Sequence, residues 1–162
     1  MKKFIITGLS VMLLVGCGVT EEKNVKEEKQ QERAVNGQQE IKYSFPEGVT
    51  SVGEGKIKVV TPDGTSENGN VPVVFIKKDT LIQQVEIEVA NFQEDKEIFV
   101  YIDKKFEDKH QVNKLAQTTI ALKEETLQPG IHTVTAIQYE NNDPNGKVIN
   151  FVQAQLENKP AQ

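Results

Sequence analysis

The residue with the most distinctive chemistry is Cys17, because it carries the only thiol in the chain and a thiol can form a covalent bond at sulfur. Lys2 and Lys3 precede an apolar run from Phe4 to Val15, which is the arrangement of an export signal. The run has about a dozen residues, too few to cross roughly 30 Å of hydrocarbon as a permanent helix. Cys17 therefore follows a signal peptide expected over residues 1–16.

The motif Leu14-Val15-Gly16-Cys17 resembles the lipobox of bacterial lipoproteins. The resemblance implies cleavage before Cys17, thioether lipidation of its sulfur, and a lipid-anchored protein on the outer leaflet of the cell membrane. A diacylglyceryl group carries two acyl chains, and at about 0.8 kcal/mol per buried methylene two chains anchor a protein stably. The alternative is a chance thiol in a signal peptide that is cut elsewhere; the position of Cys17 and the small residue before it favour the lipobox.

The charge balance is acidic and excludes some classes of partner. Removal of residues 1–16 takes away Lys2 and Lys3 and shifts the formal net charge from −5 to −7. Such a chain is repelled by nucleic acid and by anionic headgroups, so we expect neither as a partner. Without a second cysteine, the folded part has no disulfide and no thiol redox chemistry, and its core alone must stabilise it. No cofactor is expected.

The composition divides the mature chain into three parts. Residues 18–40 are rich in Glu, Lys and Gln, and they contain too few large apolar side chains to offset the entropy of ordering. We expect the lipidated Cys17 and a flexible polar tether over 17–40, a folded domain over 41–158, and a disordered tail over 159–162. As a flexible coil, the tether has a root-mean-square reach of roughly 25 Å.

The folded part shows the two-residue period of β-strands. In Lys56-Ile57-Lys58-Val59 and again over 84–89, apolar side chains alternate with polar ones, which predicts strands with one solvated face. Clusters of Gly, Pro, Asn and Asp separate the runs and predict turns. The predicted strands are 56–59, 71–76, 84–89, 97–102, 118–122, 131–139 and 147–156. About seven strands in this length indicate an all-β antiparallel β-sandwich.

One local pattern refines the fold prediction. The stretch from Leu127 to Ala136 resembles the corner and following strand of immunoglobulin-like and fibronectin type III domains, where the usual pattern is Leu-x-Pro-Gly-x-Tyr-x-Val-x-Ala. His132 replaces the corner tyrosine and can still donate a hydrogen bond back to the corner. The resemblance implies an immunoglobulin-like fold.

A broader resemblance concerns a group of small Gram-positive lipoproteins, in which a lipobox and a polar tether precede one compact β-domain. It is carried by the stretch 61–73, by Tyr101-Ile102-Asp103, and by residues 130–134. The group has no assigned catalytic residues, so the resemblance implies a location and a fold, and no functional residue is transferred to this chain.

Metal and catalytic sites have little support in the sequence. A two-histidine site would require the fold to join His110, in a charged loop, with His132, in the predicted corner. A corner hydrogen bond for His132 and a solvated His110 are favoured, and no metal is expected. Oxygen ligands crowd into residues 141–145, but their spacing fits no calcium loop and predicts a turn. None of the nucleophile or zinc motifs Gly-x-Ser-x-Gly, Ser-x-x-Lys and His-Glu-x-x-His occurs, so we expect a non-enzyme.

The one candidate binding surface involves Phe99 and Tyr101. In the strand over 97–102 these two side chains point away from Ile98, Val100 and Ile102, so one of the two sets faces away from the core of the sandwich. Either the tether or a loop covers that second face, or Phe99 and Tyr101 form an exposed aromatic patch that contacts a partner.

The sequence thus predicts a membrane-anchored, extracytoplasmic lipoprotein. Its monomeric domain acts as a non-catalytic binding or structural module for an unidentified extracellular protein or cell-wall partner. The alternatives are an accessory lipoprotein of a surface machine for conjugative transfer or secretion and, less favoured, an enzyme.

The lipobox makes a direct prediction. Cys17→Ala removes the sulfur that accepts the lipid, so the variant should carry no labelled fatty acid and should remain an uncleaved or mislocalised precursor. Metabolic labelling followed by membrane fractionation measures both effects. A processed, membrane-bound variant that still carries the label would contradict the lipobox assignment.

Overall fold

The computed structural model describes residues 43–111 and 116–162. The signal peptide, Cys17 and the tether fall outside these residues. Within the described part of the chain, no helix is long and apolar enough to cross a membrane.

The described residues form nine strands, most of them where the two-residue period predicts them. In chain order they are β1 (Lys56–Thr61), β2 (Gly64–Thr65), β3 (Val73–Ile76), β4 (Ile82–Ala90), β5 (Glu97–Ile102), β6 (Lys105–Gln111), β7 (Ala116–Lys123), β8 (Gly130–Tyr139) and β9 (Val148–Pro160). Three short 3₁₀ turns lie at Glu67–Gly69, Glu124–Leu127 and Glu140–Asn142.

The strands pair into two sheets that form an immunoglobulin-like β-sandwich, as predicted. One sheet has the order β2-β1-β4-β7 and the other β3-β9-β8-β5-β6. All pairs are antiparallel except β3 with β9, which run parallel from Val73 opposite Glu157 to Ile76 opposite Pro160.

Two regions depart most from the sequence-based expectation. The tail predicted to be disordered from residue 159 is corrected, because Lys159 and Pro160 belong to β9 and the Ala161 N–H donates to the Ile76 carbonyl at 2.8 Å. The parallel partner β3, far away in sequence, holds this end in place. The charged stretch around His110, expected to be a loop, is the edge strand β6.

The main core lies between the two sheets and contains one set of alternating side chains from each central strand. On β5 these are Ile98, Val100 and Ile102, all nearly inaccessible to solvent. The other fully buried members of this core are Val59, Ile87, Leu122, Val134, Ala136 and Leu156. Burial of these apolar surfaces is the main stabilising term for a domain without a disulfide.

A second cluster lies on the outer face of the five-stranded sheet. We call it the outer aromatic cluster; its buried members are Phe99, Tyr101, Ile137, Tyr139 and Phe151, with Phe106 and Val148 packed at the margin. The segment of residues 43–49, which we call the strap, supplies Tyr43, Phe45 and Val49 to the same cluster. Strand β5 is therefore buried on both faces.

Hydrogen bonds between amide side chains fix one end of the sandwich. Gln138, fully buried on β8, accepts from the Gln93 N–H and donates to the Gln93 carbonyl, both at 2.9 Å. Its Oε1 also accepts from Asn150 Nδ2 at 2.9 Å, and Asn150 Oδ1 accepts from the Gly55 N–H at 3.1 Å. These bonds satisfy buried polar groups that would otherwise cost about 1–3 kcal/mol each.

Candidate functional site

The strap covers the aromatic side chains that the sequence nominated as a binding patch. Phe99 is 1 % exposed and Tyr101 0 %, so the expectation that they form an exposed patch is corrected. Phe45 packs edge-on against Tyr101 with ring centroids 5.3 Å apart, and Tyr43 lies 5.7 Å from Phe99. Of the two alternatives, the second face of β5 is the covered one, because Tyr43 and Phe45 pack their aromatic rings against it.

Lys104 lies at the margin of the strap, over one aromatic ring and beside one carboxylate. Lys104 Nζ lies 5.6 Å from the centre of the Phe45 ring and 3.5 Å from Glu47 Oε2. Both Lys104 and Glu47 are exposed, so the ion pair itself contributes little. The strap is therefore held chiefly by its aromatic packing.

Two buried hydroxyls meet inside the outer aromatic cluster. The oxygens of Tyr101 and Tyr139 are 3.3 Å apart, and each side chain is fully buried. Burial raises the pKa of both tyrosines, and the hydrogen bond to Tyr139 raises the pKa of Tyr101 further. The pair satisfies two polar atoms within an apolar region and has no access to a substrate.

His132 occupies the corner as predicted. Its Nε2 is 2.8 Å from the Gln128 carbonyl, the expected bond back to the corner, and its Nδ1 is 2.6 Å from Asp103 Oδ2. The other Asp103 oxygen accepts from the Thr133 N–H at 2.8 Å. Both ring nitrogens thus face acceptors, and the ring donates to both only when each nitrogen carries a proton. This arrangement fixes the corner and leaves neither nitrogen for metal or proton transfer.

His110 lies on β6 with its side chain 25% exposed, so it is partly buried rather than fully solvated. It is paired opposite Ile98 near the start of β5, and its Nδ1 is 3.5 Å from the Thr118 hydroxyl on β7. Its Nε2 is buried without a hydrogen-bond partner. Since His132 bonds to Asp103 beyond the far end of β5, the fold does not bring the two histidines together. Among residues 43–111 and 116–162, no group of three or more His, Cys, Asp or Glu could hold a metal ion.

The asparagine-rich loop is a turn, as predicted. Asn141 and Asn142 adopt left-handed backbone angles, with φ of 60° and 56°, which asparagine tolerates better than most residues. Asn142 Oδ1 accepts from the Glu97 N–H at 2.8 Å, and Asp143 Oδ1 accepts from the Asn145 N–H at 3.0 Å. These oxygens therefore satisfy local backbone donors.

An uncovered apolar surface, which the sequence reasoning missed, lies on the other half of the same sheet face. We call it the open outer patch and define it by Val73, Phe75, Ile131, Glu157 and Lys159. Phe75 is 55 % exposed and Ile131 60 %, while Glu157 and Lys159 form an ion pair at 2.9 Å between them on β9. Register places Ile131 and Val73 opposite Glu157, and Phe75 opposite Lys159. The signal in the sequence was the continuously apolar run Val-Val-Phe-Ile over 73–76, because Val74 and Ile76 face inward and Val73 and Phe75 must then face outward.

Comparisons with known proteins add little to this geometry. No protein-family model matches the chain, and no curated protein matches it. Among solved structures, similarity is found to the CARDB domain of a Pyrococcus furiosus protein, with 16% identity over 67% of this chain and 97% of that one and a TM-score of 0.40. The fibronectin(III)-like modules of Clostridium thermocellum CbhA match with 11% identity over 66% of this chain and 100% of that one, at a TM-score of 0.39. The fold assignment rests on the strand order of the two sheets.

Burial predicts opposite outcomes for two phenylalanines. Phe99→Ala removes a buried ring from the outer aromatic cluster and should lower the free energy of unfolding by roughly 3–5 kcal/mol. Phe75→Ala, on the open outer patch, should change it by only about 0.5 kcal/mol. Urea unfolding of both variants measures the difference, and equal losses would contradict the strap's position.

The tyrosine pair predicts a loss of stability in alkali. An unfolded tyrosine ionises near pH 10, whereas the raised pKa of Tyr101 and Tyr139 keeps the folded hydroxyls protonated above it. Above about pH 10 the folded chain binds more protons, so stability is full below this pH and falls above it, by at most about 1.4 kcal/mol per pH unit for each tyrosine. The Tyr101→Phe and Tyr139→Phe double variant should show a shallower decline in urea unfolding. An unchanged slope would show that the hydroxyls ionise freely in the fold.

Proposed function

We propose that the protein is a lipoprotein, anchored through Cys17 to the outer leaflet of the cell membrane, whose β-sandwich acts as a non-catalytic binding module outside the cell. The observation that carries the proposal is the order of parts along the chain. A lipobox and a polar, acidic tether precede a folded domain that has an exposed apolar patch.

The position of the strap supports a display role. The described fold begins at Tyr43, whose ring lies 4.4 Å from that of Phe106 on the edge strand β6. The strap, which follows the tether in the sequence, therefore covers the outer aromatic cluster. The open outer patch, on the opposite half of the same sheet, is not covered by the strap and is available to a partner.

The chemistry of the open outer patch fits a protein or cell-wall partner. Phe75 and Ile131 supply exposed apolar area, and the ion pair of Glu157 with Lys159 lies beside them. An apolar centre with a polar surround is the usual composition of a protein interface. The acidic tether and domain disfavour nucleic acid or an anionic lipid surface as the ligand.

The polar side chains support a non-catalytic role. His132 and Asp103 have the types of a catalytic dyad, but each is engaged on both sides, His132 by Asp103 and Gln128 and Asp103 by His132 and Thr133. A general base needs a nitrogen within reach of a substrate proton. The dyad instead fixes the corner between β5 and β8.

The proposal is tested with a single cysteine placed beside the open outer patch. Lipidation consumes the Cys17 thiol, so Gln155→Cys in the full chain supplies one exposed thiol on β9. We expect a membrane-impermeant maleimide that carries a photocrosslinker to label this variant on intact cells and, on irradiation, to attach it to a partner.

Lys56→Cys, exposed on the other sheet, is the matched control and should be labelled without being cross-linked. Labelling of Gln155→Cys only after cell lysis would contradict external display. Identical cross-linking from both positions would contradict a role for the open outer patch.

A further inference from the structure

Strand β4 is longer than its neighbour β1, which leaves part of its edge without a partner. β7 pairs with β4 from Ile82 to Val89, whereas β1 pairs with it only from Glu86 to Ala90. Beyond Thr61 the chain turns at Pro62 into β2, on the far side of β1. Among the described residues, 82–84 of β4 thus have a neighbouring strand on one side only.

The hydrogen-bonding groups of this edge point to the vacant side. The Val59 N–H donates to Ser66 Oγ at 2.9 Å and its carbonyl accepts from the Ser66 N–H at 3.0 Å, so Val59 faces away from β4. Because the backbone alternates, Val60 faces β4, and its partner Glu86 faces β1. Two and four residues earlier, Gln84 and Ile82 face the same side.

A local hydrogen bond supports this assignment. The Gln84 carbonyl accepts from the side-chain amide of Gln83 at 2.9 Å. The Gln83 side chain thereby makes the hydrogen bond that a backbone N–H of an added strand would make to the Gln84 carbonyl. Exchange of this exposed bond for a backbone bond costs little, because both are amide–carbonyl pairs.

The vacant position opens onto the main core as a groove of about 420 Å³. Val85 of β4 and Val74 of β3 line it, and both are buried members of that core. Pro62 lines the groove where β1 ends, and Glu86 lines it on the outer side of the sheet. An inward side chain of an added strand would therefore contact Val74 and Val85.

We infer that this groove binds an extended peptide segment of a partner protein, which is added to β4 as an antiparallel strand in line with β1. The inference concerns a second site, on the four-stranded sheet, and goes beyond the binding proposed for the open outer patch. Three peptide residues lie opposite Gln84, Gln83 and Ile82 in turn, because Thr61 of β1 already lies opposite Val85 in the same register. The first and third exchange backbone hydrogen bonds with Gln84 and Ile82.

The lining residues define the side chains of the peptide. The residue opposite Gln83 points inward, toward Val74 and Val85, and is apolar. The residue opposite Gln84 points outward, beside Glu86, and is lysine or arginine. The residue opposite Ile82, which is 62 % exposed, is apolar and covers that side chain. The peptide therefore carries one basic residue followed by two apolar residues, and its positive charge agrees with the acidic balance of the chain.

The test uses ¹⁵N-labelled residues 17–162 with Cys17→Ser, so that no lipid is present, and the probe acetyl-Lys-Val-Ile-Thr-amide. Titration should shift the backbone amides of Ile82, Gln84 and Glu86 in NMR spectra and slow the hydrogen exchange of the first two. Gln84→Pro removes the N–H that faces the groove and should weaken binding by about tenfold or more.

Ala121→Pro is the matched control, because Ala121 lies opposite Gln84 on β7 and its N–H faces the outer edge of the sheet. It should bind the probe as the parent chain does. If Gln84→Pro does not fold, Glu86→Lys replaces it, and this variant should prefer the probe with glutamate in place of lysine.

Several results would overturn the inference: no amide shifts at β4 with excess probe, equal weakening by both proline variants, or no change of charge preference in Glu86→Lys. Stronger shifts from a peptide of residues 18–40 would assign the groove to the chain's own tether. Dimerisation abolished by Gln84→Pro would assign it to a second copy. Because the probe is tested without lipid or cells, its failure leaves external display, measured at Gln155→Cys, unaffected.

Discussion

The packing of the strap on the outer aromatic cluster is the constraint on which the rest of the fold depends. Strand β5 carries apolar side chains on both faces, and the four-stranded sheet covers only one of them. Burial of the Phe99 and Tyr101 rings is worth on the order of 4 kcal/mol each as an upper estimate. With no disulfide available, the domain must cover this face with its own chain, and it does so with Tyr43 and Phe45.

Polar interactions fix the two ends of β8, the strand that joins the two clusters. Near its start, His132 bonds to Gln128 and Asp103. Near its end, Gln138 bonds to Gln93 and Asn150. Between these ends, the buried apolar side chains stabilise β8 by the hydrophobic effect, which is non-directional and does not specify which residues pair. The hydrogen bonds therefore supply the register, and the apolar side chains supply most of the stability.

The sequence predicted the strands whose side chains alternate, and it missed features that depend on contacts distant in the chain. Strand β6, Lys-Phe-Glu-Asp-Lys-His-Gln, shows no apolar alternation because it is an edge strand, where charges are tolerated. The extension of β9 to Pro160 depends on pairing with β3, more than eighty residues earlier. Phe99 and Tyr101 alternate with aliphatic residues along β5, so the sequence showed that this strand has two apolar faces. Residues 43–49 gave no signal that they would cover one of these faces.

The shapes of the sheet edges explain why a single extended segment is the favoured ligand of the groove beside β4. Strand β6 blunts its edge with charges, and β2 is only two residues long. The open part of β4 is an inset, closed at one end by the turn at Pro62 and bordered by Val74 of the opposite sheet. About three residues of one strand fit there, at roughly 3.3 Å per residue. A second sandwich cannot bring its own sheet edge into this recess without meeting β1, so at this part of β4 the geometry that admits a peptide disfavours edge-to-edge association.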